Sequence, residues 1–244
     1  MYKRIVLKIS GEALTQTEST DNKKHGVIVP DTLQRTADEI IDVAKMGVEV
    51  CLVVGGGNIF RGAQAAATEG WEIERVTADY MGMLATTINA LGLQDALERK
   101  GQPTRVMTAI EMKQIAEPYI RRRAVRHLEK GRVVIFACGS GNPYFSTDTA
   151  AALRGTEMDA DAVMLAKNID GVYDKDPRKH ADARRYDHLT FHQVISDNLK
   201  ATDITTITHC QENNLPIILF ALSGRGNIHR AVLGEAIGTT IAAE

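Results

Sequence analysis

The strongest constraint on this chain is a repeated alternation. A short apolar, often β-branched run is followed by a small polar or glycine-rich loop, and then by a stretch with helical periodicity. The runs are Arg4–Ile9, Val48–Val54, Thr104–Met107, Arg132–Cys138, Asp161–Ala166 and Pro216–Ala221, with a last short one at Thr239–Ala242. Several are almost continuously apolar, as strands covered on both faces are. Between them, Leu33, Ala37, Ile40, Ile41 and Ala44 fall at i, i+4, i+7, i+8 and i+11, with Asp31 as N-cap and Gly47 as stop. Val76, Tyr80, Leu84, Ile88 and Leu91 repeat the apolar stripe in a helix that ends near Gly101. Further helices are predicted at Ala124–Lys130, Thr147–Leu153, Thr190–Ser196 and Asp203–Glu212. This order predicts an α/β fold, a three-layer αβα sandwich with a mainly parallel central sheet. With 244 residues, no internal repeat and no Pro/Ser-rich linker, the chain reads as one domain, 1–244. Thr15–Val29 and Lys175–Tyr186 are polar and predict exposed, mobile loops.

Composition narrows the function classes. Apolar residues are 44 % and charged residues 25 %, which excludes a disordered or collagen-like chain. The net charge of −2 excludes a bulk nucleic-acid coat or a polybasic membrane binder, but leaves room for a local cationic site. Cys51, Cys138 and Cys210 are far apart and form no CxxC pair, so they read as buried thiols in a reducing compartment. The apolar start of the chain is interrupted at Lys8, too early for a secretory signal, and no run is long enough to span a membrane. A cytoplasmic protein is expected.

The strand ends carry the chemistry. The first ends in Lys8-Ile9-Ser10-Gly11, and the second in Gly55-Gly56-Gly57-Asn58 before Arg61-Gly62. The Arg132–Cys138 strand leads into Gly139-Ser140-Gly141-Asn142-Pro143, and Asp161–Ala166 into Lys167-Asn168-Ile169-Asp170-Gly171. In a parallel sheet these ends share one edge, where ligands bind. Glycine lets backbone N–H groups approach an anion closely, and helix N-termini favour negative charge. Lys8, Arg61 and Lys167 among Asp79, Asp148 and Asp176 therefore fit phosphates and Mg²⁺. The GxxxxGK[ST] phosphate loop is absent, since Gly-Lys does not occur, and both glycine loops fail GxGxxG at the sixth position, Phe60 and Tyr144. Asp79, some twenty residues beyond the first loop, keeps a dinucleotide reading open.

Five segments carry a family resemblance: Lys8–Leu14, Gly55–Gly62, Asp79–Thr86, Gly141–Asp148 and Asp170–Pro177. In order and spacing over nearly the whole chain, the sequence resembles the bacterial UMP kinases of the amino-acid-kinase fold family. The resemblance implies ATP and UMP as substrates, with Mg²⁺ bound through nucleotide phosphates and not by a protein metal site. It implies that the N-terminal half forms mainly the acceptor side and the C-terminal half mainly the ATP side. Lys8, Ile9, Ser10 and Gly11 match the turn that meets the transferred phosphoryl group, and Gly56, Gly57 and Arg61 the loop that holds the phosphates. Asp79 matches the carboxylate on the ribose hydroxyls. Ser140, Gly141, Asn142, Pro143, Tyr144, Phe145, Ser146 and Thr147 match the segment around uracil and the acceptor phosphate. Asn168, Tyr173 and Asp176 match ATP contacts, and Asp148 and Asp203 the acidic residues that orient the lysine and metal waters. Ala201-Thr202 precedes Asp203 where the family has Val-Met, and 15–26 is the least familiar stretch. Arg105 and Arg132 match positions of a nucleotide effector site, with GTP activating and UTP inhibiting. A homohexamer is the implied assembly.

A phosphomonoester with a second pKa of ~6 is mostly dianionic near neutral pH, so UMP needs no general base to become a nucleophile. The obstacle is repulsion between phosphates, which cations and aimed N–H donors relieve. Direct in-line transfer without a phosphoenzyme is therefore expected, with Lys8 as a point charge and Arg61 as a planar fork. The basic run Arg121-Arg122-Arg123, Arg126, His127, Lys130 reads first as a solvated helix face, and no aromatic platform accompanies it for nucleic acid. His188 and His192, at i, i+4, would sit on one helical turn but have no third ligand for zinc. Met81 and Met83 read as core or subunit-interface residues. A kinase of carboxylate or carbamate acceptors and a non-catalytic nucleotide sensor are the competing readings; Asp79 argues against the first, Lys8 and Asp148 against the second.

Overall fold

The apolar runs pair into one sheet. A computed structural model describes residues 1–15, 27–61, 72–200 and 202–243. In it, β1 (Arg4–Ile9), β2 (Glu49–Val54), β3 (Thr104–Thr108), β4 (Glu117–Pro118), β5 (Val133–Ala137), β6 (Ala162–Lys167), β9 (His188–Thr190), β10 (Ile217–Ala221) and β11 (Thr239–Ala242) form a nine-stranded sheet. Its order is β4-β3-β5-β2-β1-β6-β10-β11-β9, and β10–β11 is the antiparallel pair in an otherwise parallel sheet. A separate hairpin pairs β7 (Val172–Tyr173) with β8 (Arg185–Tyr186), so the end of the expected Lys175–Tyr186 loop is in fact a strand. Residues 16–26, the bulk of the other expected loop, lie outside the described residues, as does Gly62.

Seven helices are described: α1 (Pro30–Lys45), α2 (Arg75–Arg99), α3 (Arg121–Leu128), α4 (Thr147–Glu157), α5 (Phe191–Ser196), α6 (Ile204–Glu212) and α7 (Asn227–Leu233). One core joins α1, α2 and α7 to Ile5, Leu7 and Ile9; the other joins α3 to α6 to Val6, Cys51 and Val53. Helices on both faces of the sheet make the three layers. The start of α1 differs from expectation. The N-cap of α1 is Val29, with Pro30 at the first helical position and Asp31 in the first turn, where a carboxylate meets the positive helix end. Gly47 does stop the helix, at φ +83°. Helix α7 escapes sequence reading because seven residues between the left-handed Gly226 and Gly234 are too few to show a stripe.

The stripe on α2 points the other way from an ordinary amphipathic helix. Tyr80, Leu84 and Ile88 are 41 %, 49 % and 53 % exposed. The buried face is Ala78, Met83, Ala85, Thr86, Thr87, Asn89, Ala90, Leu93 and Leu97. Apolar residues on both faces erase the periodicity contrast that would mark the inner stripe. The inner face needs small residues because a glycine loop lies against it: a Cβ on Gly56 would sit 2.8 Å from Gly82 O and 3.0 Å from Thr86 N. Gly56→Ala is therefore expected to push the loop off α2 and lower both thermal stability and activity. Thermal melting and a turnover assay on the variant check this.

All three cysteines are free and buried. Burial pushes the Cys51 and Cys210 thiols up to about 12. The native protein is expected to react with no aromatic disulfide reagent until it is denatured.

Candidate functional site

The alternation of side chains along a strand explains the charge at the heart of the site. On β1, Ile5, Leu7 and Ile9 enter one core, so Val6 and Lys8 face the other. On β6, Ala162, Met164 and Ala166 enter the first core, so Val163, Leu165 and Lys167 face the second. β1 and β6 are neighbours, with Lys8 opposite Leu165. Two lysines thus converge on the layer that contains α4, whose first turn presents Asp148. Lys8 Nζ lies 2.8 Å from Asp148 Oδ1, and Lys167 Nζ 2.7 Å from Asp148 Oδ2. Thr202 Oγ1 also donates to Oδ2 at 2.6 Å. Burial alone would raise the Asp148 pKa, but the two ammonium groups outweigh it and hold the carboxyl well below the usual range. Asp148 is therefore ionised at neutral pH and fixes two cations.

Two cavities flank this triad. The first, of about 440 Å³, is lined by Lys8, Gly11, Gly56, Gly57, Arg61 and Asp79, and closed by Ser140 and Phe145–Thr147. The second, of about 550 Å³, is lined by Lys167, Asn168, Tyr173 and Asp176, with Lys175, Arg178, Lys179 and Lys200 around it. Ser10 and Glu12 line both. Glycines make the first cavity's floor possible. A Cβ on Gly11 would lie 2.4 Å from Asn58 Oδ1 and 2.8 Å from Gly55 O, so the β1 and β2 turns can touch only without side chains.

The structure sorts the expected residues. Ile9 has its side chain fully buried in the core, and its carbonyl accepts from Gly55 N at 2.9 Å. Asp79 is gripped by Arg75 Nε at 2.9 Å to each oxygen, and accepts from Tyr144 N at 2.8 Å. It thereby ties the start of α2 to the Gly141–Tyr144 turn, where Tyr144 is left-handed at φ +71°. Asn142, Tyr144 and Phe145 are exposed. Ser146 caps α4, accepting from Asp148 N and Thr149 N. Tyr173 OH donates to Asp170 Oδ1, and Asp176 accepts from Arg178 N. Asp203 is exposed at the start of α6 without a side-chain capping bond, while its neighbour Thr202 reaches Asp148. Arg105 and Arg132 lie elsewhere: Arg105 lines a third cavity of about 540 Å³, and Arg132 lies against His127. His188 is on β9 and His192 on α5, so they do not share a helical turn. Among the described residues no cluster of three His, Cys, Asp or Glu side chains is placed to hold a metal ion.

Sequence reasoning missed Glu12 and Thr202. Glu12 pairs with Arg61 Nη2 and accepts from Asn168 Nδ2 at 3.4 Å, bridging the two cavities. Its place immediately after Gly11 was the available signal. Thr202 stands where the resembling family carries an apolar residue, so no motif pointed to it.

Comparison with known proteins agrees with this architecture. Residues 3–221 match the amino acid kinase family. The chain belongs to that family. Within the amino acid kinase family it is similar to the crystal structure of UMP kinase from Bacillus anthracis, with 40 % identity, a TM-score of 0.92, and coverage of 100 % of this chain and 97 % of that one. It is similar to UMP kinase from Ureaplasma parvum at 35 % identity and TM-score 0.90, over 99 % of each chain. Uridylate kinase from Archaeoglobus fulgidus matches at 27 % identity and TM-score 0.72, over 98 % of this chain and 99 % of that one.

Proposed function

We propose that this chain transfers the γ-phosphoryl group of ATP to UMP, giving UDP and ADP. The observation that carries the reading is the pair of cavities meeting at Ser10 and Glu12, with Lys8 and Lys167 fixed by Asp148 beside the junction. UMP occupies the first cavity, formed mainly by the N-terminal half, with its ribose on Asp79. ATP occupies the second, formed mainly by the C-terminal half, at Asn168, Tyr173 and Asp176. The phosphates meet over Gly57, where Lys8 and Arg61 offset the repulsion between them. Arg61 must exchange Glu12 for a phosphate, so its fork is held ready near the junction. Asp148 has both oxygens engaged by Lys8, Lys167 and Thr202, and so orients these groups without holding a metal. Mg²⁺ supplies charge neutralisation when it arrives on the nucleotide phosphates. Transfer is direct and in line.

Binding tests the acceptor assignment. Calorimetry is expected to show UMP binding to the wild type, weakened about 10-fold in Asp79→Ala through loss of a charged acceptor for the ribose hydroxyls. Wild-type protein that fails to bind UMP contradicts the reading.

The third cavity suits a nucleotide effector. Arg105 is paired there with Glu98 at 3.2 Å and Glu117 at 3.6 Å. Arg132 does not line it but is linked to its Glu117 through His127, to whose Nδ1 it lies at 2.9 Å, while His127 Nε2 is 3.0 Å from Glu117. GTP activation and UTP inhibition, which the resemblance implies, are proposed for this site, with Arg105→Ala expected to abolish the GTP response and leave the basal kcat within about twofold. The exposed Tyr80, Leu84 and Ile88 stripe supports assembly of several copies, in the homohexamer that the resemblance implies. Buried unpaired thiols and the lack of any described helix long and apolar enough to cross a membrane suit a cytoplasmic enzyme.

A further inference from the structure

Helix α2 turns Thr86 and Asn89, one helical turn apart, into the interior beside Thr87. Thr86 is 2 % exposed and Asn89 fully buried. Each reaches a different glycine loop. Asn89 Nδ2 donates to Gly55 O at 2.7 Å and to Asn58 Oδ1 at 2.7 Å, and Asn58 Nδ2 returns a bond to Asn89 Oδ1 at 3.1 Å. Both ends of the Gly55–Asn58 turn are therefore fixed to the helix. Thr86 Oγ1 donates to Met83 O at 2.7 Å and accepts from Cys138 N at 2.8 Å. Cys138 and Gly139 are both left-handed, at φ +63° and +56°, so the turn after β5 has a backbone that a cysteine rarely adopts. Thr87 Oγ1, 3.3 Å from Cys138 Sγ, holds the same residue from its side chain. Such a conformation persists where its surroundings over-determine it.

The two loops approach the first cavity from neighbouring strands, β2 and β5, with no described side-chain hydrogen bond between them. Beyond the β2–β5 pairing itself, α2 links them, and Gly56 also packs against it without room for a Cβ. We propose that Thr86 and Asn89 are positioning residues that fix the spacing of the phosphate loop after β2 and the acceptor loop after β5. This deepens the UMP-kinase reading and rests on it. Thr86 holds the acceptor loop, so its loss falls on UMP. Asn89 holds the phosphate loop, so its loss falls on the transfer step. A displacement of about an ångström in a reacting group costs up to about 100-fold in rate.

The experiment is steady-state kinetics with ATP and UMP on wild type, Thr86→Val, Thr86→Ser and Asn89→Leu, with melting temperatures alongside. Thr86→Val keeps the shape and removes the hydroxyl. It is expected to raise KM for UMP about 10-fold and leave KM for ATP within twofold. Thr86→Ser restores the hydroxyl and is expected to return KM for UMP close to wild type. Asn89→Leu is expected to lower kcat by about 10-fold or more. Should one variant fail to fold, the other still decides. Thr86→Val and Thr86→Ser with the same KM for UMP, or a folded Asn89→Leu with wild-type kcat, overturns the proposal even where melting temperatures fall. A wild type inert toward UMP overturns the underlying reading, and the proposal with it.

Discussion

Replacing Lys8 by alanine is expected to lower kcat for UMP phosphorylation by about 100-fold or more, the loss typical of removing one transition-state donor. Lys8 is 6 % exposed, so its charge acts across a poorly hydrated gap where Coulomb forces are strong. Its ammonium group is held by Asp148 and donates to Ser10 Oγ at 3.2 Å, beside the residue that both cavities share. In the proposed reaction that placement puts the cation where charge concentrates as the phosphoryl group moves. KM for either nucleotide should change less than kcat, because the interaction is strongest in the transition state. Lys8→Arg is not expected to rescue, since a planar fork cannot occupy the seat of a compact ammonium group. A Lys8→Ala variant with wild-type kcat would show that the lysine is only a structural counter-ion.

Asp148→Asn should damage both stability and turnover. The substitution keeps the shape but removes the negative charge between the buried Lys8 and the partly buried Lys167. Breaking a buried pair in this way costs about 3–5 kcal/mol. Its pH dependence has a definite sign. The folded-state pKa of Asp148 lies below its unfolded value, so ionised Asp148 stabilises the fold fully above the usual carboxylate pKa of about 3.9. That stabilisation is lost as pH falls toward the depressed folded value. The melting temperatures of wild type and Asp148→Asn should therefore be far apart at neutral pH and converge in acid below about pH 4. The acid limb of the activity profile above that pH should not report Asp148. Parallel curves down to low pH would contradict the ion-pair account.

Much of this was legible in the sequence, for reasons that differ by element. The central strands announced themselves because burial on both faces leaves almost unbroken apolar runs. Lys8 and Lys167 stood out because a charge at the end of such a run must be fixed by a partner. Their convergence on Asp148 needed the sheet order, since β1 and β6 are distant in sequence and adjacent in space. The direction of α2 was not legible: large apolar residues lie on both faces, Tyr80, Leu84 and Ile88 outward and Met83, Leu93 and Leu97 inward, so size alone does not mark the buried side. Asn89 and Thr86 were hidden for the same reason, being polar residues on a face whose partners are backbone groups of distant loops. The placement of Asp203 rested on the family resemblance. There Thr202 meets the buried carboxylate while Asp203 faces solvent. The short strands β4, β7, β8 and β9 have two or three residues each and carry no period to read.

The central claim is that the first cavity accepts a pyrimidine nucleoside monophosphate and the second delivers the phosphoryl group. ADP release from ATP and Mg²⁺, followed in parallel with UMP, CMP, dTMP, acetylglutamate and carbamate as acceptors, tests it most directly. The account predicts rapid turnover with UMP, weak turnover with the other two nucleotides, and none with acetylglutamate or carbamate. Turnover led by acetylglutamate or carbamate, or equal inertness with all five acceptors, would contradict it.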